Sequence, residues 1–201
     1  MKKAILCALV ILMGMASVQG LATSVPSKTT QDLAAVVSFA LDNGAALPEG
    51  FIIRLLEETE SADKVLKQLA DFVAGQELAP ARFFSEAVQN ALTLLLPEGM
   101  DLDQFVIDEF APMSVEGYQE SYGDVTVSLR FATEYAEGQE MAALVGVVTG
   151  TDDQGNPVID WTPVQAEPEE GLVTVHFPQS LLTKLNGQDA MIAILSKDPA
   201  K

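Results

Sequence analysis

Two acids in this 201-residue chain sit where an acid is least expected. Asp108 and Glu109 interrupt the apolar run Phe105-Val106-Ile107-Asp108-Glu109-Phe110. Successive side chains on a strand point to opposite faces, so one of the two is directed at whichever face is buried. A desolvated carboxyl has a raised pKa and can serve as a general acid, which makes Asp108 and Glu109 the candidate catalytic residues. The preferred, plainer reading is that the strand ends there and both acids reach water, or that Arg130 neutralises one of them. Paired-carboxylate glycoside hydrolysis also needs a cleft, and no pattern in the sequence locates one.

Other oxygen donors gather at Asp152, Asp153, Asn156 and Asp160. They are candidate calcium ligands, but their spacing does not match an EF-hand loop, and a tight turn calls for the same residue types. Tyr118 and Tyr122 flank a loop that also carries Glu116 and Glu120. Exposed rings beside acids can stack a sugar, so these tyrosines are the candidate ligand-binding residues. Trp161 shares its strand parity with Ile159 and Pro163 and is expected to fill the sandwich core. His176 is the sole histidine, on the opposite parity to Val173, Val175 and Phe177. It cannot form a His-rich zinc site, no Gly-x-Ser-x-Gly elbow supplies a nucleophile, and it reads as a surface residue without mechanistic weight. The only cysteine, Cys7, lies in the amino-terminal apolar run, which leaves the rest without disulfide, thiolate or Cys–zinc chemistry. No cofactor is expected.

Eleven Lys and Arg stand against 29 Asp and Glu, a net charge of −18. Nucleic acid is excluded as a partner, because its affinity rests on cations displacing condensed counterions. Anionic membrane surfaces are disfavoured for the same reason. The opening Met1-Lys2-Lys3, the apolar run Ala4 to Met15 and the small residues Ala16, Ser17, Gly20 and Ala22 have the form of a bacterial export signal. Residues 1–22 are therefore expected to be cleaved, releasing a protein with no membrane attachment into a periplasm or the medium. With 48% hydrophobic residues the remainder is apolar enough to fold.

The elements that must position these residues divide into two kinds. After a polar leader (residues 23–28), residues 29–97 show helical periodicity and predict three helices. The first runs from Thr30 to Asp42, with Leu33, Val36, Val37, Ala40 and Leu41 on one face. The second carries Ala62, Val65, Leu66, Leu69, Phe72 and Val73; the third opens at Pro80 and closes before Pro97. Phe51 to Leu56 is assigned as one more helical turn. Residues 104–197 alternate instead, predicting about six strands in an antiparallel sandwich of immunoglobulin-like size. Those strands are Gln104 to Phe110, Asp124 to Phe131, Met141 to Thr149, Val158 to Val164, Val173 to Phe177 and Asp189 to Ser196. Asp153 to Asn156 should turn the third into the fourth, and Gln179 to Leu185 should form a helical turn.

Met141 to Val148 and Ala190 to Leu195 are apolar on both parities. An antiparallel sheet normally leaves one face wet, so these strands require cover on their second face. The expected fold is thus α+β, with the three-helix segment packed on the sandwich. The expected role is a non-enzymatic exported module binding an extracellular protein or carbohydrate. The alternative is a small carboxylate hydrolase acting on a substrate such as a polysaccharide. A hydrolase requires Asp108 or Glu109 in a concave pocket, whereas a binding module requires an exposed apolar or aromatic patch.

Overall fold

The computed structural model describes residues 34–76, 79–96 and 100–197. The expected signal (1–22) and leader (23–28), together with Thr30 to Leu33 and Pro97, lie outside the described residues. In chain order the elements are β1 (Ala35–Leu41), β2 (Ile52–Leu55), α1 (Glu60–Gln76), α2 (Glu86–Thr93) and β3 (Phe105–Glu116). They continue with β4 (Val125–Arg130), β5 (Met141–Thr151), β6 (Pro157–Val164), β7 (Ala166–Glu169), β8 (Leu172–Phe177), α3 (Gln179–Leu185) and β9 (Ala190–Lys197). The fold is mixed α+β. Its strands form two antiparallel sheets, one of order β1-β4-β8-β7 and the other of order β2-β3-β9-β5-β6.

The six expected strands are present as β3, β4, β5, β6, β8 and β9, and the Asp152–Asn156 turn joins β5 to β6 as a hairpin. α3 falls on the expected helical turn. Two expectations fail in the amino-terminal part. Over its described residues the first predicted helix is the strand β1, paired with β4, and Phe51 to Leu56 contains β2, paired with β3. The amino-terminal part therefore does not stand apart as a three-helix segment: its first two elements are strands of the two sheets. The cause in β1 is a bulge. The register slips between Val36 and Ser38, so Val37 is an extra residue, and Val36 and Phe39 both turn inward three positions apart. That spacing imitates a helix.

The second predicted helix is α1. The third breaks into a 3-10 turn, Pro80–Phe83, and α2. Phe84 and Ser85 are extended between them, and the Ser85 hydroxyl accepts the Val88 N–H as an N-cap.

The five-stranded sheet is the middle of three layers. Ala143, Val145, Ile192 and Ile194 face the four-stranded sheet and pack with Val127, Val175 and Phe177. The opposite parity, Ala142, Leu144, Met191, Ala193 and Leu195, packs under Val65 and Leu69 of α1, Ala81, Phe84 and Leu92. The helical pieces thus supply the second cover that β5 and β9 require. Ser61 of α1 donates its hydroxyl to Asp189 at 2.6 Å, and the Lys64 ammonium reaches the Gly155 carbonyl at 3.1 Å. Trp161 faces this outer layer, edge-on to Phe84 at 5.2 Å, and not the space between the sheets where its parity was read to place it. Among the described residues no helix is long and apolar enough to cross a membrane.

Candidate functional site

Asp108 is the extra residue of a second bulge, where the pairing of β3 with β9 jumps from Ile107 to Glu109. The strand does not end at the acids but runs on to Glu116, so the reading that sends both into water is wrong. The bulge also defeats simple alternation. Ile107 and Phe110 both face the helical layer, and the two acids between them lie close enough to Tyr135 for both charges to act on it. Ser196 donates its hydroxyl to Asp108, and the Glu109 carboxylate, 3% exposed, accepts the Thr133 N–H at 2.9 Å. The Tyr135 hydroxyl is buried, with the Thr133 side chain beside it but no well-formed hydrogen bond. Burial pushes its phenol well above the ordinary value of 10.0, and the charges of Asp108 and Glu109 push the same way, with the Thr133 side chain opposing. None of the three open grooves described below is lined by either acid.

The tyrosines do not form an exposed platform. Tyr118 is buried, donates its hydroxyl to the Gly123 carbonyl at 2.8 Å, and packs with half-buried Tyr122 and with Phe51 at 5.7 Å. With Phe39 against Phe51 at 5.2 Å, these rings plug one end of the space between the sheets. A polar groove nearby is lined by Glu120, Asp124, Gln179 and Thr183.

The hairpin donors are occupied otherwise. Asp152 accepts the backbone N–H groups of Gln154 and Asn156 and the Asn156 side-chain amide, which together hold its carboxyl below the usual carboxylate range. Asp160 is paired with Lys184 of α3 at 3.0 Å, and Asp153 is exposed. Among the described residues no group of three or more acids or histidines is arranged to hold a metal ion.

His176 lies on the outer face of the four-stranded sheet, as its parity predicts, but it has a partner that the sequence did not suggest. The Thr126 hydroxyl donates to Asp42 at 2.7 Å and therefore accepts from His176 Nδ1 at 2.9 Å. This string assigns a proton to Nδ1.

The feature that sequence reasoning missed altogether is an asymmetry between the two sides of the sandwich. On one side the chain crosses directly from β6 to β7, with Val164 and Ala166 buried on either side of Gln165. On the other side the sheets end in β1 and β2, which are not hydrogen-bonded to each other. Between these edges lies an open groove of about 500 Å³, lined by apolar Val36, Val37, Phe39, Leu47, Ile53 and Leu55 and by polar Ser38 and Arg54. Val36, Phe39 and Leu55 belong to the inter-sheet core yet are only partly buried. Val37 and Leu47, which line the groove, expose 44% and 46% of their surface, and Ile52 of β2 exposes 40%; Leu94, Leu95 and Val158 are the large apolar residues exposed elsewhere among the described residues. A smaller groove, of about 360 Å³, lies beside Leu95, Glu140 and Glu167 and is half polar. The only sequence signal for the open side was the uncharged run from Leu33 to Leu41, and that run was assigned to a helix.

Comparison of the chain with protein-family models, with curated proteins and with solved structures found no match.

Proposed function

We propose that the chain is exported and acts outside the cytoplasm as a non-enzymatic binding module, engaging a partner protein on the open side of its sandwich. The observation that carries this reading is the half-covered core between β1 and β2, with Val37 and Leu47 exposed along it. Exposed apolar side chains continuous with a half-covered core mark a docking face. The basic, apolar start of the sequence supports export. A protein partner is favoured over a carbohydrate, because Tyr118 is buried and so offers no exposed ring for a sugar to stack on. The hydrolase reading has less support, since Glu109 is enclosed with its Oε1 held by Thr133 and neither acid lines any of the three described grooves.

The test is site-specific photocrosslinking in the extracellular fluid of the producing cell. A photoreactive side chain at Val37 is expected to give a discrete adduct. The same group at Ser128, on the outer face of the four-stranded sheet, is expected to give none. Equal adducts from both positions, or polysaccharide hydrolysis abolished by Glu109→Gln, would overturn the reading.

A further inference from the structure

We propose that β1 receives an added strand: an extended segment of a different protein chain, apolar at alternate positions and basic at both ends. The proposal rests on the binding-module reading and names how that side is occupied. Three observations converge on it.

The first is the backbone. β1 is hydrogen-bonded to β4 alone, so the outward N–H and C=O groups of this edge have no strand partner among the described residues. Edges are usually guarded by charges, proline or covering segments. Ala35–Leu41 contains no charged residue and no proline, and its one guard is the bulge at Val37. The companion edge β2 is shorter, and its Arg54 is tied to Glu116 at 2.6 Å and to Ser114 at 3.1 Å. β1 is therefore the open template. An extended segment can satisfy these backbone groups, whereas a helix or a small apolar ligand cannot.

The second is the shape of the uncovered core. Val36 and Phe39 of β1 and Leu55 of β2 are half-buried members of the same inter-sheet core. A strand lying beside β1 would send every second side chain over them and close this side as the β6–β7 crossing closes the other. Seven residues of β1 span about 23 Å, enough to align a segment of similar length.

The third is charge. The groove is lined mostly by apolar side chains and its lining Arg54 is neutralised by Glu116, while Asp42 follows β1 directly, exposed Glu49 and Glu57 bracket the β2 segment, and the whole chain carries −18. Basic residues flanking the apolar stretch would be drawn to this surface. A second copy brings the same negative charge and is opposed by it, so a different chain is the occupant.

The experiment uses a short synthetic peptide that alternates valine and threonine between lysine pairs, added to the purified chain. Its partner is the same peptide N-methylated at every second residue, which keeps the side chains and removes one edge of donors. Amide exchange within Ala35–Leu41 is expected to slow by about tenfold or more with the parent peptide and to be unchanged with the methylated one. Val37→Glu, at an exposed position, should keep its melting temperature and lose the protection. The proposal is overturned if exchange at β1 does not slow, if both peptides act equally, or if exchange slows with protein concentration alone, which would make a second copy the occupant. A Val37 crosslink without slowed exchange would remove strand addition while leaving the docking side in place.

Discussion

Gly146 lets β5 pass beneath two side chains that leave no room for a third. A Cβ there would stand 2.7 Å from Ile159 Cγ2 and from Trp161 Cε3 and Cζ3. The Trp161 ring cannot easily yield, because Phe84 holds it edge-on at 5.2 Å and Phe110 lies behind it at 6.4 Å. Gly146→Ala should therefore cost about 1–3 kcal/mol by overpacking and lower the melting temperature by roughly 2–4 °C per kcal/mol. An unchanged thermal unfolding curve would show that the ring moves freely. Tyr135 offers the opposite change. Its buried hydroxyl has only a poorly formed contact with the Thr133 side chain to offset its desolvation, so Tyr135→Phe should leave stability within about 1 kcal/mol of the parent. The pH dependence follows from the raised phenol. Below pH 10 both folded and unfolded chains keep the proton and stability is at its full value. Above it the unfolded chain releases the proton while the folded chain holds it, so stability falls by about 1.4 kcal/mol per pH unit from this group. Denaturant titrations between neutral and alkaline pH should show a shallower decline in Tyr135→Phe than in the parent.

Arg82 shows how the helical cover is held together. From the 3-10 turn its guanidinium donates to Asp103 at 2.8 Å, to Asp101 at 3.1 Å and to Gln89 of α2 at 3.2 Å, and Asp103 raises its already high pKa. Gln89 in turn donates to the Phe84 carbonyl at 2.6 Å, satisfying the backbone at the break between the turn and α2. Arg82→Met keeps the apolar stem and removes the forked donors. It should cost about 1–2 kcal/mol and speed amide exchange in α2 ahead of β5 and β9. Uniformly faster exchange would mean that cover and sheet open together. The sequence showed α1 by its 3.6-residue stripe, β4 and β8 by clean alternation, and β5 and β9 as short apolar runs bounded by turn residues. What it hid was hidden by bulges: the extra Val37 in β1 produced an i, i+3 spacing that reads as helix, and the extra Asp108 in β3 turned an expected strand end into its middle. The short edge strands β2 and β7 have too few residues to display a period at all. The candidate site was obscured for the same reason, since it is made of the two edges that were assigned as helix. The Asp42–Thr126–His176 string joins β4 and β8 to the residue that follows β1, a proximity that no linear spacing encodes.

The three layers depend on each other because the middle sheet has no dry face of its own. On one side it needs the four-stranded sheet, to which β1 contributes an edge from the far amino-terminal part. On the other it needs α1 and α2, which arrive before any of β3 to β9 has been made. Gly117 adds a further tie. Its φ of +72° and the Gly50 carbonyl pressed where a Cβ would stand fix the end of β3 against the start of β2. Residues 104–197, which alternation marks out as a complete sandwich, are thus expected not to fold when expressed alone. Without the preceding elements, Phe105, Ile107, Leu144, Met191 and Leu195, each no more than 1% exposed in the fold, would face water. At about 1.5–3 kcal/mol per buried side chain, the loss is on the order of 10 kcal/mol, comparable to the whole stability of an ordinary domain. The fragment should give poorly dispersed amide resonances and bind a hydrophobic dye, whereas the full chain should do neither. A fragment with sharp, dispersed resonances would show that the helical layer is an accessory to a self-sufficient sandwich. The apolar outer face of β5 and β9 would then become the larger docking surface, and the β1 edge the smaller.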